Sequence, residues 1–160
     1  MRFEQAKDLL QALEREEARY VLVGSMAMAA QGLVRATRDI DFFIAPDEEN
    51  VERVKRALRA VFLDESIDEI NSADLSGSYP VIQYGPPNED YVIDLLARLG
   101  EAFAFEDIDS EELVVEGVTV RVATPSTLYR MKRSTVRPQD RLDAESLRER
   151  FGLTEEGEPG

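Results

Sequence analysis

Cysteine and histidine are both absent from this sequence of 160 residues. Without cysteine, the chain can form neither a disulfide framework nor a thiolate metal site. Without histidine, it lacks the usual general base and the commonest transition-metal ligand, which excludes zinc enzymes and Ser-His-Asp hydrolases. What remains is carboxylate chemistry with hard cations such as magnesium or manganese.

Long apolar runs are missing as well. No segment approaches the roughly 18 to 20 consecutive apolar residues of a membrane span, and the first residues contain no apolar stretch of the kind that a secretory signal needs. A hydrophobic content of 43% over 160 residues predicts one domain with its own core. We therefore expect a soluble, cytoplasmic protein that makes no membrane contact.

The net charge of −14 argues against a surface that binds nucleic acid as a whole, because phosphate contacts supply most of the non-specific binding energy. The charge is uneven, however. Residues 101–117 contain seven acids and no base, whereas residues 121–150 contain eight bases and four acids. The second segment is either an ordinary solvated helix surface or a basic wall beside an acidic site.

Apolar spacing predicts alternating helices and strands. The helical pattern covers residues 2–18, residues 25–31, a stretch that ends near Phe62, and two segments that follow Ser126 and Pro138. Alternating and β-branched runs predict strands over 20–23, 39–44, 79–84 and 91–96, and a hairpin over 113–122.

This order predicts an α/β (α+β) fold, in which a short mixed β-sheet is flanked by α-helices. The expected single domain spans residues 1–153, because no linker or internal repeat divides the chain. Residues 154–160 are acidic and are expected to form a disordered tail.

Two aspartates alternate on the predicted strand 39–44. Side chains two residues apart on a strand point to the same face, so Asp39 and Asp41 share one edge while Ile40 faces the core. Two neighbouring carboxylates repel each other unless a cation lies between them. The pair predicts a site for a divalent metal. In the alternative, one acid caps a turn and the other is only exposed.

A third acid, Asp94, lies inside the apolar strand 91–96. A carboxylate in such a place needs a charge partner or a metal ion to offset its desolvation. The partner is either an arginine such as Arg98 or Arg35, or the same metal site. We favour the metal site, which makes Asp94 its third acid.

Upstream of these acids, the apolar strand 20–23 breaks at Gly24-Ser25 and a helix follows. One interpretation is an ordinary turn in which Ser25 is the N-cap. The other is a phosphate cradle, because glycine permits close approach and the first N–H groups of a helix attract anions. Arg35, Thr37 and Arg38 either contact a triphosphate or pair with Asp39 and Asp41.

These residues resemble the polymerase-β-type nucleotidyltransferase superfamily. The shared pattern is an apolar strand, Gly-Ser, a short helix that ends in glycine, Arg-x-Thr-x-Asp-x-Asp, and an aspartate on a later strand. GSMAMAAQG and RATRDID, followed by MK at 131–132 and RPQDRLD at 137–143, are similar to AbiEii-type toxins and related bacterial nucleotidyltransferases. The likeness covers residues 20–150. Relatives often carry histidine where this chain has Gln31.

The resemblance implies a role for each matching residue. Gly24 and Ser25 would hold the β- and γ-phosphates of a nucleoside triphosphate, and Asp39 and Asp41 would bind two magnesium (or manganese) ions. Asp94 would complete the metal set and help to deprotonate the acceptor hydroxyl. Such in-line transfer needs mainly positioning and charge neutralisation, so it does not require histidine.

The looser C-terminal match concerns Lys132, Asp140 and Asp143. The resemblance implies that Lys132 contacts triphosphate or substrate, while the helix that carries Asp140 and Asp143 closes the other side of the cleft. The alternative for Lys132 is a surface lysine on an amphipathic helix.

The implied activity is transfer of a nucleoside monophosphate from an NTP to an acceptor hydroxyl, with release of pyrophosphate. The acceptor is the 3′ end of a transfer RNA, a protein side chain or a small molecule, and a toxin–antitoxin or phage-defence role would add a cognate antitoxin-like protein as partner. Two other interpretations remain: a non-catalytic nucleotide- or partner-binding module of a two-protein regulatory pair, and a GT-A-like sugar transferase that uses its Asp-x-Asp for a nucleotide sugar.

Overall fold

The computed structural model describes residues 2–34, 37–77, 80–101 and 103–160. The five α-helices in these ranges are α1 Phe3–Arg15, α2 Gly24–Ala30, α3 Glu48–Val61, α4 Pro125–Arg133 and α5 Pro138–Phe151. The eight strands are β1 Tyr20–Val23, β2 Asp39–Ile44, β3 Val81–Tyr84, β4 Val92–Leu96, β5 Arg98–Leu99, β6 Phe103–Ala104, β7 Ser110–Val115 and β8 Val118–Ala123. Three short 3-10 helices cover Glu65–Glu69, Ser72–Leu75 and Phe105–Asp107.

Six of the strands form one mixed sheet in the order β3-β4-β2-β1-β8-β7. β2 runs parallel to β4, and β1 runs parallel to β8, whereas the β1–β2, β3–β4 and β7–β8 pairs are antiparallel. β5 and β6 form a separate two-stranded sheet. The predicted fold class, a short mixed sheet flanked by helices, is confirmed.

The central strands β1 and β2 are buried because helices cover them. β1 is buried along its whole length, and so are the last three residues of β2. α1 and α3 pack against each other through apolar stripes that include Leu10 and Leu58, and α4 packs against α5. The apolar spacing read from the sequence is therefore the spacing that buries the core.

The β7–β8 hairpin turns through Glu116 and Gly117, which have φ angles of 49° and 82°. Two consecutive residues at positive φ produce the tight turn whose twist matches that of antiparallel strands. The predicted hairpin is present, and β7 begins earlier than expected, at Ser110.

The residues after α5, for which the sequence predicts a disordered tail, fold back on α4. Leu153 forms an antiparallel bridge with Pro159, and the carbonyl of Glu155 accepts a hydrogen bond of 2.9 Å from the hydroxyl of Tyr129. Backbone groups of this segment thus find partners that the acidic composition alone did not predict.

Within the described ranges, no helix combines the length and the apolar character needed to cross a membrane.

Candidate active site

Four neighbouring strands each contribute one residue to a row that crosses the sheet. Asp41 of β2 lies opposite Val23 of β1 and opposite Asp94 of β4, and Asp94 lies opposite Gln83 of β3. Residues directly opposite each other in a sheet point to the same face. Asp41 and Asp94, which are far apart in the sequence, are therefore close neighbours, as the metal-site hypothesis requires.

The pairing leaves Asp41 in an environment that disfavours its charge. Burial raises the pKa of Asp41 to about 8, and a hydrogen bond and electrostatic repulsion from Asp94, with a smaller repulsion from Asp39, act in the same direction. The positive charge of Lys132 opposes this rise. The raised pKa means that Asp41 ionises near neutral pH only at a cost, unless a cation stabilises its carboxylate.

Asp94 carries the most direct sign of a missing partner. Its Oδ1 atom is buried and makes no hydrogen bond within the described part of the chain. Arg98, one of the two arginines considered as a partner, instead lines a cavity together with Arg19, Ala45 and Pro80; the other, Arg35, lies outside the described residues. A buried oxygen without a donor is costly unless something else binds it.

Asp39 differs from the other two acids. It is exposed at the first position of β2, whereas Asp41 is partly buried and Ile40 between them is fully buried in the core. The alternation predicted from the sequence is therefore present, with the two acids on the face opposite Ile40. Among the described residues, however, no three acidic side chains stand close enough together to hold a metal ion.

Asp41 and Asp94 nevertheless fit a hard cation. They supply carboxylate oxygens, the donors that magnesium prefers, and they repel each other when both are ionised. The unpartnered Oδ1 of Asp94 leaves one of these oxygens available. This pair is the part of the predicted metal set that the structure brings together.

Gly24 determines how closely α2 approaches the acids. Its φ is +71°, and a Cβ atom added there would lie 2.3 Å from Oδ2 of Asp41. No real Cβ contact is that short, so the carboxylate of Asp41 occupies space that only glycine leaves open. The position combines a left-handed backbone with a close approach, and both require glycine.

Ser25 does not cap α2. The helix begins at Gly24, the N-cap is Val23, and no side chain caps it. The interpretation of Ser25 as N-cap is therefore wrong, because the strand runs directly into the helix through Gly24. Ser25 is the second residue of α2, beside the acids.

Thr37 and Arg38 organise the start of β2. The hydroxyl of Thr37 accepts a hydrogen bond of 3.2 Å from the backbone N–H of Asp39 and donates one of 3.1 Å to its carbonyl. The carbonyl of Arg38 accepts from the N–H of Val92 at 2.9 Å, which extends the β2–β4 pairing, while its side chain is exposed. These contacts fix the register that aligns Asp41 with Asp94.

Lys132 is held between two buried acids. Its Nζ lies 2.8 Å from Oδ2 of Asp143 and 3.4 Å from Oδ1 of Asp140, and its side chain is only 12% exposed. Thr135 and Gln139 donate further hydrogen bonds to Asp140 and Asp143, respectively. Lys132 is thus not a free surface lysine. Its charge acts on Asp41, so the α4–α5 cluster borders the acidic site.

Four of the other seven bases in segment 121–150 form ion pairs with described acids. These pairs are Arg121–Glu112 at 2.7 Å, Arg130–Glu158 at 3.6 Å, Arg137–Asp140 at 3.7 Å and Arg148–Glu145 at 3.4 Å. Such partly exposed pairs are typical of a solvated helix surface. Lys132 is the base of this segment whose charge acts on Asp41 of the candidate site.

Sequence reasoning missed Gln83, the cross-strand neighbour of Asp94. It is exposed on the edge strand β3. In the sequence, Gln83 lies between the apolar residues Ile82 and Tyr84. Because side chains alternate along a strand, this position predicts that Gln83 points to the face opposite the buried Tyr84. The order of the strands, which brings β3 beside β4, could not be read from the sequence.

Solved structures that resemble this chain include nucleotidyltransferases. TM1012 from Thermotoga maritima, assigned as a nucleotidyltransferase, is 17% identical with a TM-score of 0.57, over 94% of this chain and 92% of its own. ANT(2″)-Ia in complex with adenylyl-2″-tobramycin is 14% identical with a TM-score of 0.55, over 90% and 85%. An antigenic nucleotidyltransferase-like protein from Paracoccidioides brasiliensis is 14% identical with a TM-score of 0.58, over 96% and 78%.

The fold is therefore that of the nucleotidyltransferases. The family model of the AbiEii nucleotidyl transferase toxins of type IV toxin–antitoxin systems matches residues 8–146. The chain belongs to this family, which confirms the resemblance seen in its sequence. Among functionally curated proteins, none matches the chain significantly.

Lys132→Met is expected to lower both stability and nucleotidyl transfer. The substitution removes the lysine that bonds the buried acids Asp140 and Asp143, which costs about 1–3 kcal/mol, and it removes the charge that favours ionised Asp41. Thermal unfolding and a transfer assay measure the two effects. A suitable control is Lys55→Met, because Lys55 is equally buried but its partner Glu52 is exposed. Equal losses of stability in both variants would contradict the assignment.

Proposed function

We propose that this chain is a metal-dependent nucleotidyltransferase that moves a nucleoside monophosphate from an NTP to an acceptor hydroxyl and releases pyrophosphate. The observation that carries the proposal is the pair Asp41 and Asp94, aligned on adjacent parallel strands, with Gly24 against one acid and an unpartnered buried oxygen on the other. Membership of a nucleotidyltransferase family supports it.

In this proposal Asp39, Asp41 and Asp94 hold two magnesium or manganese ions. Asp39 lies on the same face as Asp41, two residues away on an exposed strand end, so rotation of its side chain would complete the set. Magnesium, when bound, neutralises the triphosphate and the charge that develops around the α-phosphorus.

The chain's own residues position the reactants. Gly24 and Ser25 would hold the β- and γ-phosphates at the start of α2, with the carboxylate of Asp41 packed against the glycine. We propose that Lys132 and Asp140 act as one unit, in which Asp140 holds the lysine that faces the triphosphate. Arg35, Thr37 and Arg38 would flank the same phosphates.

The reaction forms one bond and breaks one bond. The acceptor oxygen bonds to the α-phosphorus, and the bond between that phosphorus and the bridging oxygen of pyrophosphate breaks. The proton of the acceptor hydroxyl passes to Asp94, whose buried Oδ1 has no hydrogen-bond partner in the described part of the chain. Asp94 is therefore proposed as both metal ligand and proton acceptor.

The acceptor is proposed from three classes: the 3′ end of a transfer RNA, a protein side chain or a small molecule. The complex of ANT(2″)-Ia with adenylyl-2″-tobramycin supports a hydroxyl as the acceptor group. The type IV toxin–antitoxin family adds an antitoxin as the proposed cognate partner. Five of the eight bases in segment 121–150 form ion pairs with described acids, which reduces the positive charge that this segment offers to RNA.

Labelled NTPs test this function. With magnesium and a cell extract as the source of acceptors, label from the α-phosphate is expected to enter an acceptor, and label from the γ-phosphate to appear in pyrophosphate. Chelation of the metal should abolish both, and added magnesium should restore them. If γ-label enters the acceptor, the protein is a kinase instead. If wild type binds Mg–NTP but transfers no label to any acceptor class, the binding-module interpretation replaces the enzyme.

A further inference from the structure

A cavity of about 390 Å³ opens between the end of α2 and the outer side of α5. One wall is formed by Met28, Leu33 and Val34, which are the last turn of α2 and the segment after it. The other wall is formed by Gln139, Asp143 and Ser146 of α5.

The two walls are held together by a contact at Gly32, which also lines the cavity. A Cβ atom added to Gly32 would lie 3.2 Å from Nη2 of Arg150, so the guanidinium of α5 packs directly on this glycine. The backbone at Gly32, with φ +96°, is left-handed. The guanidinium of Arg150 thus lies beside the segment that follows α2, at the edge of the cavity.

Lys132 connects the cavity with the candidate active site. Asp143, 4% exposed, accepts a hydrogen bond of 2.8 Å from Nζ of Lys132. The same lysine acts electrostatically on Asp41. A ligand that spans the acids and this cavity would therefore run past Lys132 along one side of the cleft.

The chemistry of the walls favours a flat, neutral group with polar edges. Leu33 and Val34 offer aliphatic surface, and Val34 is 84% exposed. Gln139 and Ser146 offer an amide and a hydroxyl. Both oxygens of Asp143 already accept hydrogen bonds, from Gln139 and Lys132. Of the described residues that line the cavity, none is lysine or arginine; the guanidinium of Arg150 lies at its edge, beside Gly32, so the two walls themselves offer a phosphate no cation.

We propose that this cavity binds the nucleobase of the NTP, with the aliphatic wall against its face and with Gln139 and Ser146 selecting its polar edge. The proposal rests on the proposed function, because it needs the triphosphate to lie beside Gly24 and Lys132. A hydrogen-bonding amide discriminates among bases because the wrong edge leaves a polar group unpaired.

Ser146→Trp tests the site without touching the acids. Ser146 is exposed on α5, so tryptophan is expected to fill the cavity and leave the fold intact. Affinities for the four Mg–NTPs and for Mg–tripolyphosphate, which has no base, are measured by calorimetry. We expect NTP binding to weaken by about 10-fold or more and tripolyphosphate binding to stay unchanged. The matched control, Glu145→Trp, places the same side chain on the neighbouring exposed position, which does not line the cavity.

A second variant tests selectivity. Gln139→Ala is expected to change the order of affinity among the four NTPs. Because Gln139 also bonds Asp143, any loss that tripolyphosphate shares is attributed to Lys132 and not to the base. If wild type binds NTPs no better than tripolyphosphate, or if Ser146→Trp weakens both ligands equally, the base site is disproved while the proposed function stands. If wild type binds neither ligand with magnesium, the proposed function fails as well.

Discussion

Asp41→Asn is expected to reduce nucleotidyl transfer more than about 100-fold while making the metal-free protein more stable. Loss of a metal-supporting residue outside the direct ligand set already costs about 10- to 100-fold, so loss of a direct carboxylate ligand should cost more. Stability should change in the opposite direction, because asparagine removes a charge that burial and Asp94 oppose and can donate a hydrogen bond to Asp94.

The pH dependence of this effect has a definite sign. The pKa of Asp41 is about 8 in the folded protein and about 3.9 in an unfolded chain. Between these values the folded state binds more protons than the unfolded state, so the contribution of Asp41 to the free energy of unfolding falls as pH rises. The contribution is fully present below about pH 4 and is lost as pH rises through about 8.

Thermal unfolding in the presence of chelator measures this effect. The melting temperature of Asp41→Asn should match that of wild type near pH 4 and exceed it increasingly toward pH 8, by about 2–4 °C for each kcal/mol in a chain of this size. The control is Asp74→Asn, an exposed acid away from the site, which should follow the wild-type curve and retain transfer. A constant difference at all pH values would show that Asp41 is not the group that titrates.

Gly24→Ala is expected to inactivate the enzyme with only a modest loss of stability. The new Cβ would lie 2.3 Å from Oδ2, 3.1 Å from the carboxyl carbon and 3.3 Å from the Cβ of Asp41. Because the whole side chain is in contact, it must rotate or shift. We expect transfer to fall more than about 100-fold, since a carboxylate proposed as a direct ligand is displaced, and the positive φ to cost about 1–2 kcal/mol.

Gly117→Ala separates the effect of the positive φ from the effect of the contact with Asp41. Gly117 also has a positive φ, +82°, but an added Cβ there meets nothing within 4 Å. This variant should lose a similar amount of stability and keep full activity. Activity and unfolding of both variants are compared in one experiment. Retained transfer in Gly24→Ala would mean that the position of the Asp41 carboxylate does not matter to the reaction.

Much of this fold could be predicted because its segments are locally consistent. β1 and β2 are apolar and bounded by turn residues, and the Glu116-Gly117 turn is a strong hairpin signal. The two 3-10 helices after α3 were less predictable, because each depends on one side-chain cap, Asp64 or Asn71. The contacts of the residues after α5 were not predictable from their acidic composition, since their partners lie on α4.

The candidate site was predictable only in part. The types of acid and their alternation identified Asp39, Asp41 and Asp94, but not which two would be paired. That depends on the β2–β4 register, which aligns Asp41 with Asp94 and places Asp39 beside Val92 at the exposed end. The ion pairs of Lys132 likewise depend on the packing of α4 on α5, which places Oδ2 of Asp143 2.8 Å from Nζ of the lysine.

The β2–β4 register also makes the site dependent on the whole domain. α3, two 3-10 helices and β3 lie between these strands in the chain, so the carboxylates meet only through a parallel pairing of segments that are distant in sequence. A ligand that binds Asp41 and Asp94 together links the neighbouring strands β2 and β4. Its binding therefore reports that the native topology is complete, and no fragment that lacks either strand can reproduce it.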